Sequence, residues 1–206
     1  MGMPDQKFKL RVTYQKIGNA TWLSQLELAR ALEHAVRRSG LPYVVSEGYV
    51  PHMRISFGPA LSVGIESKSQ VFDVLLSRYI APDKCLASLK KTSADCLMPL
   101  DASYVDNNNG FETSGINSFE AEVKGKISSL DIPKQIEVTK KKKIKVLDVD
   151  KYLDGDVEIS EGDGATKFCF KLKFYDEGSL NPEIFLKSVL ENSGINAPEI
   201  INFKKL

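Results

Sequence analysis

From Lys7 to Lys16 the chain alternates, with Phe8, Leu10, Val12 and Tyr14 on one side. That period of two predicts a half-buried strand. Ile17-Gly18-Asn19-Ala20 reads as a turn or loop. The period then changes. At about 100° per residue, Leu28, Ala29, Leu32, Ala35 and Val36 share one helical face. Ser24 and Glu27 form a capping box in front of them, with Trp22-Leu23 as a hydrophobic staple. Gly40 and Pro42 stop the chain behind them, so a helix is predicted over 25–39.

Tyr43–Val45 is a short extended piece, and 46–54 reads as a loop. Ile55–Phe57 and Leu61–Ile65 are strand-like but interrupted by Gly58-Pro59, which predicts a bent or bulged strand. The run 69–80 is rich in β-branched residues and reads as a strand. Pro82 opens a second helix over 83–92, and 98–105 returns as a strand. The order β-α-β-β-α-β is the ferredoxin-like arrangement, four antiparallel strands with two helices on one face.

Asp106-Asn107-Asn108-Asn109-Gly110 is a polar, turn-rich break. It sets a first domain over 1–105, a linker over 106–117 and a second domain over 118–206. The second half predicts strands over 119–126, 136–149, 167–175 and 199–203, with a helix capped by Asn181 and opened by Pro182. Lys167–Tyr175 alternates strictly, while no amphipathic first helix is visible. The fold class expected is therefore α+β, two ferredoxin-like units in tandem with the second degenerate. One continuous sheet with a C-terminal extension is the alternative.

Composition changes this picture little. Of 206 residues, 42% are hydrophobic and 27% charged, as in ordinary globular chains. No apolar run is long enough to span a bilayer, and the first ten residues lack the apolar stretch of a secretory signal, so a cytoplasmic protein is expected. Cys85, Cys96 and Cys169 are too few and too scattered for a disulfide framework or a metal knuckle, and only two histidines are present. Neither a metal site nor a cofactor motif is expected. Charge is the informative quantity. Residues 1–105 carry 13 Lys and Arg against 9 Asp and Glu, and residues 106–206 carry 15 against 18. A polyanion site would lie in the first half.

Two groups of residues carry candidate chemistry. Arg30, His34, Arg37 and Arg38 share the helix face opposite the leucines, where guanidinium groups contact phosphates or stack on bases. A solvated stripe paired with Glu27 and Glu33 is the plain alternative. In the loop Ser46–Arg54, Gly48 and Pro51 shape a backbone that presents Glu47, Tyr49, His52 and Arg54. His52 is a possible acid or base, with Glu47 as its orienting partner. Lys140–Lys143 reads as an exposed edge that resists aggregation.

The pieces Tyr14-x-Lys16-x-Gly18, Trp22-Leu23-Ser24-x-Leu26-Glu27, Arg37-Arg38-Ser39-Gly40-Leu41-Pro42, Ser46-Glu47-Gly48-Tyr49-x-Pro51-His52 and Ile55-Ser56-Phe57-Gly58-Pro59 stand together in this order. They resemble the signature of the radical-SAM-linked proteins, an uncharacterised bacterial family encoded beside or fused to radical SAM enzymes. The resemblance implies a radical SAM enzyme as partner. Where that family carries Ser-His-Leu-Asp, this chain has Ser24-Gln25-Leu26-Glu27. The expected function is a non-catalytic accessory module that binds RNA or a ribonucleoprotein substrate for the partner enzyme. A docking scaffold for that enzyme is the alternative, and an acid–base enzyme using the 47–54 loop is a third reading.

Overall fold

The computed structural model describes residues 7–140 and 143–206. The fold is mixed α+β, and the chain divides into two compact units, the first ending at Phe111 and the second beginning at Glu112. Among the described residues no helix is long and apolar enough to cross a membrane.

The first unit runs β1 (Phe8–Lys16), a 3-10 turn (Gly18–Trp22), α1 (Gln25–Arg38), β2 (Ile55–Phe57), β3 (Glu66–Leu76), α2 (Pro82–Lys90), a second 3-10 turn (Asp95–Leu97) and β4 (Pro99–Val105). Its strands lie in the order β4-β1-β3-β2, each pair antiparallel. Register follows the alternation. Leu10 opposes Val74 and Val12 opposes Phe72, so one face of the sheet is apolar. Leu28, Leu32 and Val36 of α1 and Cys85 and Leu89 of α2 are buried in the same cluster as Leu10, Val12, Tyr14, Phe72, Val74 and Leu76. Both helices therefore cover one face, and Lys9, Arg11 and Thr13 stand on the other.

The prediction of α1 is met within a residue, and Gly40 adopts φ +71 just past its end, a conformation that costs glycine little. The strand expected over 61–65 does not form. Gly58 donates its N–H to Val71 O, and a Cβ there would lie 2.8 Å from the Val71 side chain. The chain is held tight against β3 at that point, and 58–65 crosses as a loop pinned by Gly64 N–H to Thr21 O. The strand read over 69–80 accordingly starts earlier, at Glu66, and ends at Leu76. Of residues 106–117, read as linker, 106–111 are tied to β1. Lys9 Nζ donates to the carbonyls of Asn107 and Asn109, both at 2.8 Å, and Asn107 Nδ2 donates to Lys7 O. Gly115–Asn117 already belong to the next strand.

The second unit comprises β5 (Gly115–Lys124), β6 (Gln135–Lys140), β7 (Lys143–Asp148), α3 (Val149–Tyr152), β8 (Glu158–Glu161), β9 (Ala165–Tyr175), β10 (Gly178–Ser179), α4 (Pro182–Asn192) and β11 (Ile200–Lys205). Its strands lie in the order β11-β5-β9-β8, again antiparallel, and β10 pairs the far end of β9. Phe119, Phe170, Phe185 and Phe203 make one aromatic cluster in its core. The single strand expected over 136–149 is a hairpin, β6 against β7. Its reversal falls in the lysine run, where Lys141 and Lys142 lie outside the described residues. The apolar spacing did not reveal the reversal because Ile136, Val138, Ile144 and Val146 keep one parity across it. In the hairpin Leu147 is buried opposite Ile136, while Ile144 and Val146 are exposed.

One residue of β1 breaks the pattern. Lys16 points into the apolar side and is only 1% exposed, and its Nζ has Ser62 O at 3.5 Å as its nearest acceptor. Burial lowers its pKa. The unfolded chain then binds the proton more tightly than the folded one, so stability is reduced at neutral pH and recovers as pH rises from the lowered pKa toward the ordinary lysine value. Lys16→Met should therefore raise stability near pH 7 by about 1 kcal/mol. It should also remove the rise in stability that the wild type shows between pH 7 and a pH close to the ordinary lysine value. Denaturant titrations of both proteins at the two pH values measure this, and a less stable Lys16→Met would count against it.

Candidate functional site

The helix α1 begins on a complete capping box. Ser24 Oγ accepts from Glu27 N–H, and Ser24 N–H and Oγ–H both donate to Glu27 Oε2, at 2.9 and 2.6 Å. These bonds, the Ser24 hydroxyl first, hold the Glu27 carboxyl below its usual pKa. Glu27 is thereby committed to the cap, and the nearby Arg30 charge adds a smaller lowering without an ion pair forming among the described residues. Arg30, His34, Arg37 and Arg38 are all exposed. Arg38 donates to Thr92 O at 2.8 Å and so ties the end of α1 to the segment after α2. Among the described residues, Arg30, His34 and Arg37 make neither an ion pair nor a side-chain hydrogen bond.

Two exposed apolar residues lie at this end of the helix, Trp22 in the turn before it and Leu26 in its first turn. Leu23 packs against the core, whereas Trp22 is 72% exposed and takes no part in that packing. A Cβ at Gly64 would lie 3.8 Å from the Trp22 ring, which places the indole beside the 58–65 loop and its exposed Val63. Leu26 is exposed as well. At about 100° per residue, Leu26, Arg30 and Arg37 fall within about 40° of one another on the outer side of α1. The signal was present in the sequence, since Leu26 lies opposite the Leu28 and Leu32 stripe.

The 46–54 loop is closed at its base. Ser46 N–H donates to His52 O, His52 N–H donates to Ser46 Oγ at 2.9 Å, and Arg54 N–H donates to Val44 O. Val44 and Arg54 are in turn bonded to Leu75 at the end of β3. The tip between them is exposed, with Gly48 at φ +135, Glu47 in solvent and the Tyr49 side chain fully exposed. No hydrogen bond or ion pair among the described residues joins Glu47 to His52. The orienting contact that an acid–base histidine requires is not made.

His52 and Arg54 instead line a cleft of about 320 Å³ together with Lys9, Ser46, Asp73 and Leu75. By register Lys9, Arg54, Asp73 and Leu75 stand on the face of the sheet opposite the helices. The structure thus brings His52 and Arg54 together and separates both from Arg30, His34, Arg37 and Arg38, because the whole sheet lies between the cleft and the outer side of α1. Beside the cleft, Arg11 grips Asp73 with two parallel bonds, Nε to Oδ1 at 2.8 Å and Nη2 to Oδ2 at 2.9 Å. Arg11 also donates to Gly110 O and lies 4.8 Å from the Phe111 ring centre.

That open face carries no aromatic residue of β1–β4. Tyr14, Phe57 and Phe72 all belong to the core side, and burial pushes the Tyr14 phenol well above its ordinary pKa. In the second unit five lysines are paired locally. Lys124, Lys151, Lys167, Lys173 and Lys187 pair with Glu199, Glu177, Glu120, Asp154 and Glu183. Among the described residues no group of His, Cys, Asp and Glu could hold a metal ion, and the three cysteines are free thiols.

Over residues 9–182 the sequence matches the family described as uncharacterized protein conserved in bacteria (DUF2344), and the chain belongs to that family. No curated protein matches it. The family's description names neither a reaction nor a partner, so what the molecule does has to be argued from these two surfaces.

Arg11→Met would leave the Asp73 carboxylate, 2% exposed, without its guanidinium and would release the 110–111 segment. A loss of about 3 kcal/mol is expected, the scale for breaking one side of a buried pair. Faster proteolytic cleavage within 106–112 is expected as well. Thermal unfolding and limited proteolysis measure both, and an unchanged melting temperature would contradict the assignment.

Proposed function

We propose that the chain is a non-catalytic accessory module, working in the cytoplasm, whose first unit docks a partner protein on the outer side of α1. One observation carries this reading. Trp22 stands three-quarters exposed just before α1, whose outer side carries Leu26, Arg30 and Arg37 in one row, and neither arginine makes an ion pair among the described residues. Tryptophan and arginine are the residues that most often dominate binding energy at protein interfaces. The complementary surface is an apolar notch with a carboxylate rim. The family resemblance gives that partner an identity, a radical SAM enzyme encoded nearby.

Two ferredoxin-like units form the scaffold in this reading. Support comes from the β-α-β-β-α-β order of the first unit and from the matching strand orders β4-β1-β3-β2 and β11-β5-β9-β8. The hairpin β6–β7 with α3 stands in the chain where the second unit would have its first helix.

With the neighbouring radical SAM enzyme as bait, wild-type protein should co-purify. Trp22→Ala with Leu26→Ser should weaken binding at least about 100-fold, as loss of a central anchor does. Tyr49→Ala should leave binding within about threefold of wild type, since it lies outside the row. Equal capture of all three proteins would end this reading.

RNA binding is the second reading, favoured by the free Arg30, His34 and Arg37 beside an exposed indole. On the open face β1–β4 offer no stacking residue and Phe111 beside them already packs on Arg11, so in this reading the RNA lies on α1. Replacing Arg30 and Arg37 by Ala should then flatten the slope of log K against log salt by about 1.4 for single-stranded RNA. A slope that does not change removes this reading.

A further inference from the structure

The cleft on the opposite side of the sheet is not used by the docking reading, and its lining points to a ligand. We infer that it binds a small organic oxyanion, a phosphate monoester or a carboxylate carrying a compact apolar body. The argument is a charge balance. Four groups that can carry charge line the cleft, namely Lys9, His52, Arg54 and Asp73. The one carboxylate among them is already held at both oxygens by Arg11, and that pair is neutral as a unit. Lys9 spends two of its three N–H donors on the carbonyls of Asn107 and Asn109. Carbonyls satisfy donors without cancelling charge, so its cation remains and one donor is left. Arg54 makes no ion pair among the described residues, and its planar fork matches an oxyanion edge to edge. The cleft therefore holds two uncompensated cations even while His52 is neutral.

Its walls are also fixed beforehand. The main chain of Arg54 is bonded to Val44 and Leu75, the main chain of His52 is bonded to Ser46, and Lys9 is anchored by the 107–109 segment. The main chain of the cleft is thereby set before binding, and the Arg54 side chain is what a ligand would order. Leu75 supplies an apolar wall at the base. A volume of about 320 Å³ lies at the lower end of ligand clefts and suits a single ring with one anionic head.

The test is titration of the full chain with phenyl phosphate and, separately, with benzoate, followed by NMR shifts or calorimetry. Saturable binding of at least one probe is expected. Arg54→Ala should weaken it at least about tenfold, and Arg54→Lys, which keeps the charge but loses the fork, should fall in between. Lys9→Ala should weaken it as well, while Lys84→Ala, an exposed lysine on α2 behind the sheet, should match the wild type. Tighter binding of phenyl phosphate than of benzoate identifies the head group as phosphate, and the reverse identifies a carboxylate. The inference is overturned if neither probe saturates by about 10 mM, or if binding is indifferent to Arg54 and Lys9. Because Trp22 and Leu26 are untouched here, failure of the cleft would leave the docking surface standing, and failure of docking would leave the cleft.

Discussion

The alternation of β1 sends Leu10, Val12 and Tyr14 beneath two helices and turns Lys9, Arg11 and Thr13 to the other face, and the first unit is organised around that division. Each fully buried large apolar side chain contributes about 1.5–3 kcal/mol. The cluster shared by β1, β3, α1 and α2 is thus the dominant stabilising term of this unit. A register slip of one residue would exchange the two faces. It would place Lys9 and Arg11 under the helices and expose Leu10 and Val12, so both candidate surfaces depend on the same pairing of Leu10 with Val74 and Val12 with Phe72.

The pair between Arg11 and Asp73 reinforces that register. These residues oppose each other directly across β1 and β3, and their side chains meet in two parallel bonds. A buried ion pair is a weak source of stability, since desolvation offsets most of its attraction. Its effect is selective instead. A slip of one residue would turn Asp73 and Arg11 to the apolar face and cost both groups their water. By also holding Gly110 O and facing Phe111, Arg11 brings the end of the unit back onto its first strand. The cleft gains from this arrangement, because the one acid in its lining is neutralised before any ligand arrives.

Much of this was legible in the sequence because local chemistry and tertiary demand agreed. The Ser24–Glu27 box, the leucine stripe of α1, Pro82 and Asn181-Pro182 each signal a terminus or a face through short-range physics, and each appears where expected. The misreadings share a cause, a decision taken by contacts distant in sequence. Gly58 looked like a break within a strand but is held against Val71, which converts 58–65 into a loop. The β6–β7 turn falls within lysines that carry no turn signal. Trp22 seemed part of the staple because it adjoins Leu23, and only three-dimensional packing separates their roles. The cleft was half visible, in His52 and Arg54. Its other half comes from Lys9 and Asp73, on strands far apart in the chain, and no spacing rule could have joined them.

The absence of a bond between Glu47 and His52 matters for the division between binding and catalysis. A histidine that moves protons must be held in one tautomer and aimed at a reacting atom, which takes a partner on the far ring nitrogen. The loop fixes the backbone of His52 through Ser46 but leaves that partner out, and Glu47 turns to solvent at the tip. What remains near the imidazole is positive charge, from Lys9 and Arg54. Those cations suit an anion brought in from outside. His52 and Arg54, which the sequence offered as members of an acid–base loop, stand instead beside Lys9 in a cleft whose one carboxylate is already held by Arg11.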